Sequence, residues 1–222
     1  MKVETYSLND IEKKISNAHV IKKKRERCVY YYDGNYYKLW VPNWTQGDIT
    51  KYALDCGFYC EENASALTGL IYDDTGQRGY ITKEGTECAV QMGDRAWEKF
   101  IKATTLVQRL NFMSCLLEKS LKVKGMYVDL VPTNLVFVDG EVSLIDLDSF
   151  NSFEFIFDGK RQWYEKFELD AWWKPFETAS RDVDLFYKKY FSSCLGIEIK
   201  ETINSAGSIQ NMMIKIKNKY EI

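Results

Sequence analysis

The sequence predicts an α+β protein in two lobes, a small antiparallel β lobe over residues 1–82 and a mainly helical lobe over residues 83–222. Three observations predict it. Between Ala18 and Thr82, short runs rich in Tyr, Val and Ile alternate with Asp-Gly and Asp-Asp-Thr-Gly turn signals, the composition of paired strands. Over residues 94–119, apolar side chains recur at steps of three and four, the period of a buried helix. With 222 residues, 45% apolar content and only 3 prolines, the chain can bury a real core and lacks the composition of disordered chains.

Taken in order, Ser7 stands three residues before Asp10, with Leu8, Ile11 and Ile15 at helical spacing, so a short capped helix is expected over residues 8–17. The period then shifts to strands at residues 19–21, 28–32 and 35–40, the last two joined by Asp33-Gly34, a type I′ hairpin signal. The tyrosines of that pair are expected to pack on both faces. A helix is expected over residues 46–56, then strands over 66–72 and 78–82, giving a five-stranded, mostly antiparallel sheet with one helix inserted. One long helix over 94–119 follows. After Gly125 come a short strand, a loop and a hairpin turned at Asp139-Gly140. An aromatic segment at 163–176 and helices near 181–191 and 208–220 complete the second half.

Charge and composition remove several classes of function. Thirty Lys and Arg against 32 Asp and Glu leave a net charge of −2, no field to hold a nucleic acid. The single histidine, His19, excludes metal sites and relays that need two. Six cysteines without a paired Cys-x-x-Cys framework, and no charged-then-apolar leader, point to a reducing, cytoplasmic setting. Cys56 and Cys60 read as buried thiols. No apolar run approaches the roughly 20 residues of a membrane span.

The chemistry concentrates in the window from Met126 to Ser149. Asp129 and Asn134 stand five residues apart on a loop, and the hairpin returns the chain so that Asp146 approaches Asn134. A carboxylate before a loop, an amide at its end and a carboxylate after a hairpin suit metal-assisted phosphoryl transfer. Asp129 would orient or deprotonate an acceptor hydroxyl, while Asn134 and Asp146 would offer hard oxygens to Mg²⁺ on ATP. Asp148 is an auxiliary ligand candidate. Bare carboxylates after the apolar Leu144-Ile145 are costly unless a cation or donor meets them.

Asp129-Leu-Val-Pro-Thr-Asn134 followed by Leu144-Ile-Asp146-Leu-Asp148 resembles the catalytic and metal-binding loops of the protein-kinase-like fold. The resemblance implies further roles. Lys38, on the third strand and about ninety residues ahead of Asp129, would hold the α- and β-phosphates. Residues 79–85 take the place of the hinge between lobes, where Ile81, Thr82, Lys83 and Glu84 would bind adenine through backbone groups. ATP would then sit between the lobes. The acidic partner of Lys38 is open among Asp55, Glu61 and Glu62.

Some features depart from the family pattern. Tyr127 replaces a histidine, the metal motif reads Asp-Leu-Asp, and in place of a glycine-rich loop stands Ile21-Lys-Lys-Lys-Arg-Glu-Arg27, whose cations would cover phosphates. Val131 replaces the lysine usual in protein Ser/Thr kinases, and no Ala-Pro-Glu signal follows. The pattern is similar to the compact, atypical branch, which holds lipopolysaccharide-core and other sugar kinases, aminoglycoside phosphotransferases and RIO-type kinases. That implies an ATP- and Mg²⁺-dependent phosphotransferase acting on a hydroxyl of a sugar or glycan, with Trp163, Trp172, Trp173 and Phe176 as either a sugar-stacking wall or core. The alternatives are an atypical, effector-like Ser/Thr protein kinase and an inactive pseudokinase.

Overall fold

The computed structural model describes residues 2–24, 26–41, 49–87, 96–123, 125–127, 129–152, 192–198 and 206–220. Its elements run β1 (Glu4–Ser7), α1 (Leu8–Lys14), β2 (His19–Lys23), β3 (Arg27–Tyr32), β4 (Asn35–Trp40), α2 (Ile49–Asp55), α3 (Glu61–Ala64), β5 (Leu67–Asp73), β6 (Gly76–Lys83) and β7 (Thr86–Glu87). Then follow α4 (Ala96–Ala103), α5 (Leu106–Val123), β8 (Gly125–Tyr127), a 3-10 turn at Pro132–Asn134, β9 (Leu135–Val138), β10 (Glu141–Leu144), β11 (Phe150–Ser152) and α6 (Ala206–Lys219). The class is α+β, and the chain divides into two compact units, Met1–Glu87 with Asn134–Phe150, and Cys88–Thr133 with Asn151–Ile222.

The first unit is built on a six-stranded sheet in the order β1-β5-β6-β4-β3-β2, antiparallel except for β1 beside β5. Five of these strands are those expected from the sequence. The sixth, β1, went unseen because its four residues bury nothing fully and show no apolar alternation, so only its pairing with β5 defines it. The turn at Asp33-Gly34 has positive φ at both residues, 49° and 69°, as a type I′ turn requires, and it sets Tyr32 opposite Asn35. Every later pair of this hairpin follows from that register. Tyr31 and Tyr36 meet on one face, with ring centroids 5.1 Å apart, while Tyr30 and Tyr37 share the other.

Helix α1 covers that second face. Ser7 caps it, its hydroxyl accepting from the Asp10 N–H, and Ile11 and Ile15 pack with Tyr37, Ile71 and Ile81. Between β4 and β5 lie α2 and α3; the helix expected over 46–56 is observed at 49–55, and residues 42–48 lie outside the described set. The hairpin β9–β10, turned at Asp139-Gly140 with φ of 51° and 90°, joins β7 in a second sheet of three strands. The sequence reading counted this hairpin with the helical half. Its contacts put it in the first unit, where the Ala66 N–H donates to Ser143 Oγ at 3.0 Å.

In the second unit, the single long helix expected over 94–119 is two helices, α4 and α5. The break lies at Thr104-Thr105. Thr104 Oγ1 turns back to donate to the Phe100 carbonyl at 2.6 Å, ending α4. Thr105 Oγ1 accepts from the Gln108 N–H while the Gln108 side chain accepts from the Thr105 N–H, a capping box that starts α5. Hydrophobic spacing runs through such a break unchanged because both helices bury the same kind of face. The last expected helix is observed as α6, with Met212 and Ile216 buried, whereas the stretches at 163–176 and 181–191 lie outside the described residues. Among the described residues, no helix is long and apolar enough to cross a membrane.

Candidate functional site

The face of the six-stranded sheet away from α1 carries the site. Strand alternation puts Lys38 and Trp40 of β4 on this face, and the hairpin register places Arg27 opposite Trp40 and Val29 opposite Lys38. On the other side of β4, Tyr80 of β6 stands opposite Lys38. Trp40 and Tyr80 meet edge to face at 5.9 Å, and the Lys38 ammonium lies 5.3 Å from the Tyr80 ring centre. Close approach of the strands here needs Gly79, since a Cβ at that position would lie 2.1 Å from the Lys38 carbonyl oxygen.

The chain leaving β10 is fastened to the same face through Leu147, whose side chain is fully buried. The Leu147 carbonyl accepts from Tyr59 Oη at 2.8 Å and from Thr50 Oγ1 at 3.2 Å. Its N–H donates to Tyr80 Oη at 3.0 Å, and Tyr80 Oη donates to the Ile145 carbonyl at 3.2 Å. Burial, then the charges of Asp148 and Asp146, push the Tyr80 hydroxyl well above its usual pKa, so it stays a neutral donor. These bonds fix the residues on either side of Leu147.

Those residues are Asp146 and Asp148, and both meet Lys38. The ammonium donates to Asp146 and, at 2.7 Å, to Asp148. Asp148 is also reached by Trp40 Nε1 at 3.3 Å and by the Arg27 guanidinium at 3.5 Å, while Arg27 stands 3.9 Å from Asp146. The two carboxylates differ in access. The Asp148 side chain is 4% exposed and enclosed by two hydrogen-bond donors and the Arg27 guanidinium; the Asp146 side chain is 19% exposed and is the one a ligand can reach. Burial pushes Asp148 up to about 6, reinforced by the charge of Asp146 and a hydrogen bond shared with it. Burial would raise Asp146 too, but Lys38, that hydrogen bond and Arg27 outweigh it and hold its carboxyl well below the ordinary range.

The acidic partners of Lys38 are therefore Asp146 and Asp148. Of the three acids expected from the sequence, Asp55 pairs with Lys51, and Glu61 and Glu62 are exposed on α3. Asn134 sits at the foot of the β9–β10 hairpin, its carbonyl accepting from the Ile145 N–H at 3.1 Å, next in the chain to Asp146. Asp129 belongs to the second unit; it is half-buried, and its carbonyl accepts from the Val131 N–H at 2.9 Å. Nearby Tyr127, in the position the sequence reading gave to a packing aromatic, is 4% exposed.

The residues expected to bind adenine end β6 and the turn after it. Ile81 and Thr82 are buried within an interior strand, paired on both sides. The Lys83 N–H donates to the Ala66 carbonyl and the Glu84 N–H to the Gly34 carbonyl, each at 2.8 Å, so neither amide is left for a base. Their side chains are also engaged, Lys83 with Asp139 and Glu84 as acceptor from Tyr31 Oη.

Sequence reasoning missed Trp40, Tyr80, Tyr59 and Thr50. A signal existed for the first two, since Trp40 is two residues beyond Lys38 on one strand and Tyr80 lies on the neighbouring strand that the same reading identified. None existed for Tyr59 and Thr50, which act on a backbone carbonyl 97 and 88 residues away in the order Thr50, Tyr59.

The donor set suits Mg²⁺ in kind. Asp146 and Asn134 would offer hard oxygens, the Ile145 N–H bond to the Asn134 carbonyl bringing their backbones close, and Asp146 is accessible, whereas both oxygens of Asp148 are taken by protein donors.

No family model matches the sequence, and no curated protein matches it significantly. Among solved structures, the apo form of a pseudokinase is similar to this chain, at 13% sequence identity over 97% of each chain with a TM-score of 0.48. Any reading of activity therefore stands on the residues themselves.

Proposed function

We propose that the protein is an ATP-dependent phosphotransferase of the kinase-like type that moves the γ-phosphate to a hydroxyl, on a sugar or glycan. The observation that carries this reading is the junction of Lys38 with Asp146 and Asp148: a strand-borne ammonium meets a carboxylate that follows a hairpin tied back by a backbone hydrogen bond to Asn134. Lys38 is held ready for α- and β-phosphates, Asp146 and Asn134 are the ligands for Mg²⁺, and Asp148 anchors Lys38 in the role left open among Asp55, Glu61 and Glu62 by the sequence. Bound Mg²⁺ would neutralise charge building on the phosphates. Asp129 is assigned the orientation of the acceptor hydroxyl on its place in the Asp-x-x-x-x-Asn motif alone.

A second reading is a binding module that has lost transfer. It is favoured by one feature, that Lys38 and Arg27 already neutralise both carboxylates, so a metal must compete with protein cations for Asp146. The two readings part on one experiment. Incubation with Mg-ATP, alone and with pools of sugars and of proteins, is followed by mass spectrometry. ADP with phosphate added to a sugar is the expected result; phosphate on protein moves the acceptor to the protein-kinase class, and intact ATP in every pool favours the binding module.

A further inference from the structure

We propose that Arg27, assisted by Lys22, grips the outer phosphates of an oligophosphate chain, doing with side-chain charge what a glycine-rich turn does with backbone amides. The proposal rests on the nucleotide reading above for the identity of the chain, but not for its charge. Three neighbouring strands each bring one cation to the same face. Lys22 of β2 lies opposite Val29, which lies opposite Lys38 of β4, and Arg27 stands one pleat along β3 from Val29, on the same side.

Arg27 is positioned but not committed. Its guanidinium forms the two ion pairs at 3.5 and 3.9 Å and, among the described residues, no side-chain hydrogen bond, although it carries five donors in a planar fork suited to phosphate oxygens. Lys38 and Trp40 already donate to Asp148, so Arg27 is not needed to satisfy it. Its side chain is 21% exposed, open enough to meet a ligand. Lys22 belongs to an edge strand whose five residues are all exposed, and the charges of Lys24, Arg27, Asp146 and Lys38 all act on its ammonium. Three cations thus face two carboxylates that share a hydrogen bond, which leaves positive charge in excess. A chain of phosphates, with several negative charges spaced along it, balances that excess; a single carboxylate or a neutral sugar does not. Drawing Arg27 onto phosphate also takes one cation away from Asp146.

The test is calorimetric binding to the full chain of ATP, ADP and AMP with Mg²⁺, and of inorganic tripolyphosphate with and without it. Arg27→Gln is expected to weaken ATP and tripolyphosphate at least about tenfold and AMP less than about threefold, Lys22→Gln to weaken ATP by a smaller factor, and Arg27→Lys to recover part of the loss. Thermal unfolding of each variant separates lost grip from lost fold, and Lys22→Gln, on an exposed edge, gives a second reading should Arg27→Gln not fold. Unchanged ATP affinity in both Gln variants, or equal losses for ATP and AMP in folded Arg27→Gln, overturns the proposal while leaving the phosphotransferase reading in place. Wild-type binding of tripolyphosphate but of no nucleotide, lost in Arg27→Gln, supports the grip and overturns the nucleotide reading. Wild-type binding of no oligophosphate overturns both.

Discussion

Each unit buries a basic side chain, and they neutralise it by opposite means. In the first, Lys38 meets two carboxylates on a segment held by hydrogen bonds through Leu147. In the second, Arg109 meets no carboxylate among the described residues; it donates to the carbonyls of Ile101 at 3.1 Å, Thr104 at 2.6 Å and Leu195 at 3.3 Å, and to Thr104 Oγ1 at 3.1 Å. Burial lowers its pKa, opposed by the neighbouring Cys194 and by no carboxylate among the described residues. Carbonyl dipoles at the end of α4 suit a cation and give Arg109 a fixed place between that helix and the Leu195 segment. A cation satisfied by carbonyls cannot trade partners without unravelling a helix end. One satisfied by carboxylates can pass to phosphate, and free a carboxylate for metal in the same exchange. Arg109 is therefore placed as a staple, and Lys38 as a cation able to exchange partners.

The sharpest way to break that contrast is Lys38→Met, which keeps the bulk of the stem and removes the charge. It leaves Arg27 as the one ion-pair partner of the two carboxylates among the described residues, and the expected cost is about 3–5 kcal/mol of unfolding free energy together with loss of ATP binding, checked by denaturant titration and calorimetry. Arg109→Met should cost about 2–3 kcal/mol through carbonyls left without donors, with ATP affinity unchanged in the folded variant. An equal loss of ATP affinity in both would erase the distinction. Gly79→Ala should cost about 2 kcal/mol by forcing β6 away from the Lys38 carbonyl, read as a lowered melting temperature.

The smallest effect is in pH dependence. Asp148, with a folded pKa near 6 against 3.8 for the ordinary group, binds a proton more tightly in the folded state, so its contribution favours folding at low pH and fades as pH rises from about 4 to 6. Asp148→Asn removes that contribution. Relative to wild type, the variant should therefore gain stability across this window as pH rises, and unfolding curves at pH 4, 5, 6 and 7 would check it.

Much of this was legible in the sequence, and the limits have physical causes. The two-residue turn at Asp33-Gly34 fixes the β3–β4 register, so the placement of Arg27 on the face of Lys38 was already implied by the positions of two residues. The Asp139-Gly140 turn likewise carries Ile145 back to Asn134. The partner of Lys38 was not legible. Asp55, Glu61 and Glu62 are the candidates by sequence, but spacing along the chain does not reveal that Tyr59, Thr50 and Tyr80 pin Leu147 and so bring Asp148 under the ammonium. Nor does the apolar period register the break at Thr104-Thr105, which side-chain hydroxyls make and hydrophobicity does not.

The central claim is that Asp146 exchanges protein cations for a metal on a bound nucleotide. It is tested most directly by the affinity of the full chain for ATP with and without Mg²⁺, in wild type and in Asp146→Asn. The account predicts that Mg²⁺ tightens ATP binding at least about tenfold in wild type and has no effect in the variant. ATP affinity indifferent to Mg²⁺ in wild type, or equally sensitive in both proteins, would contradict it.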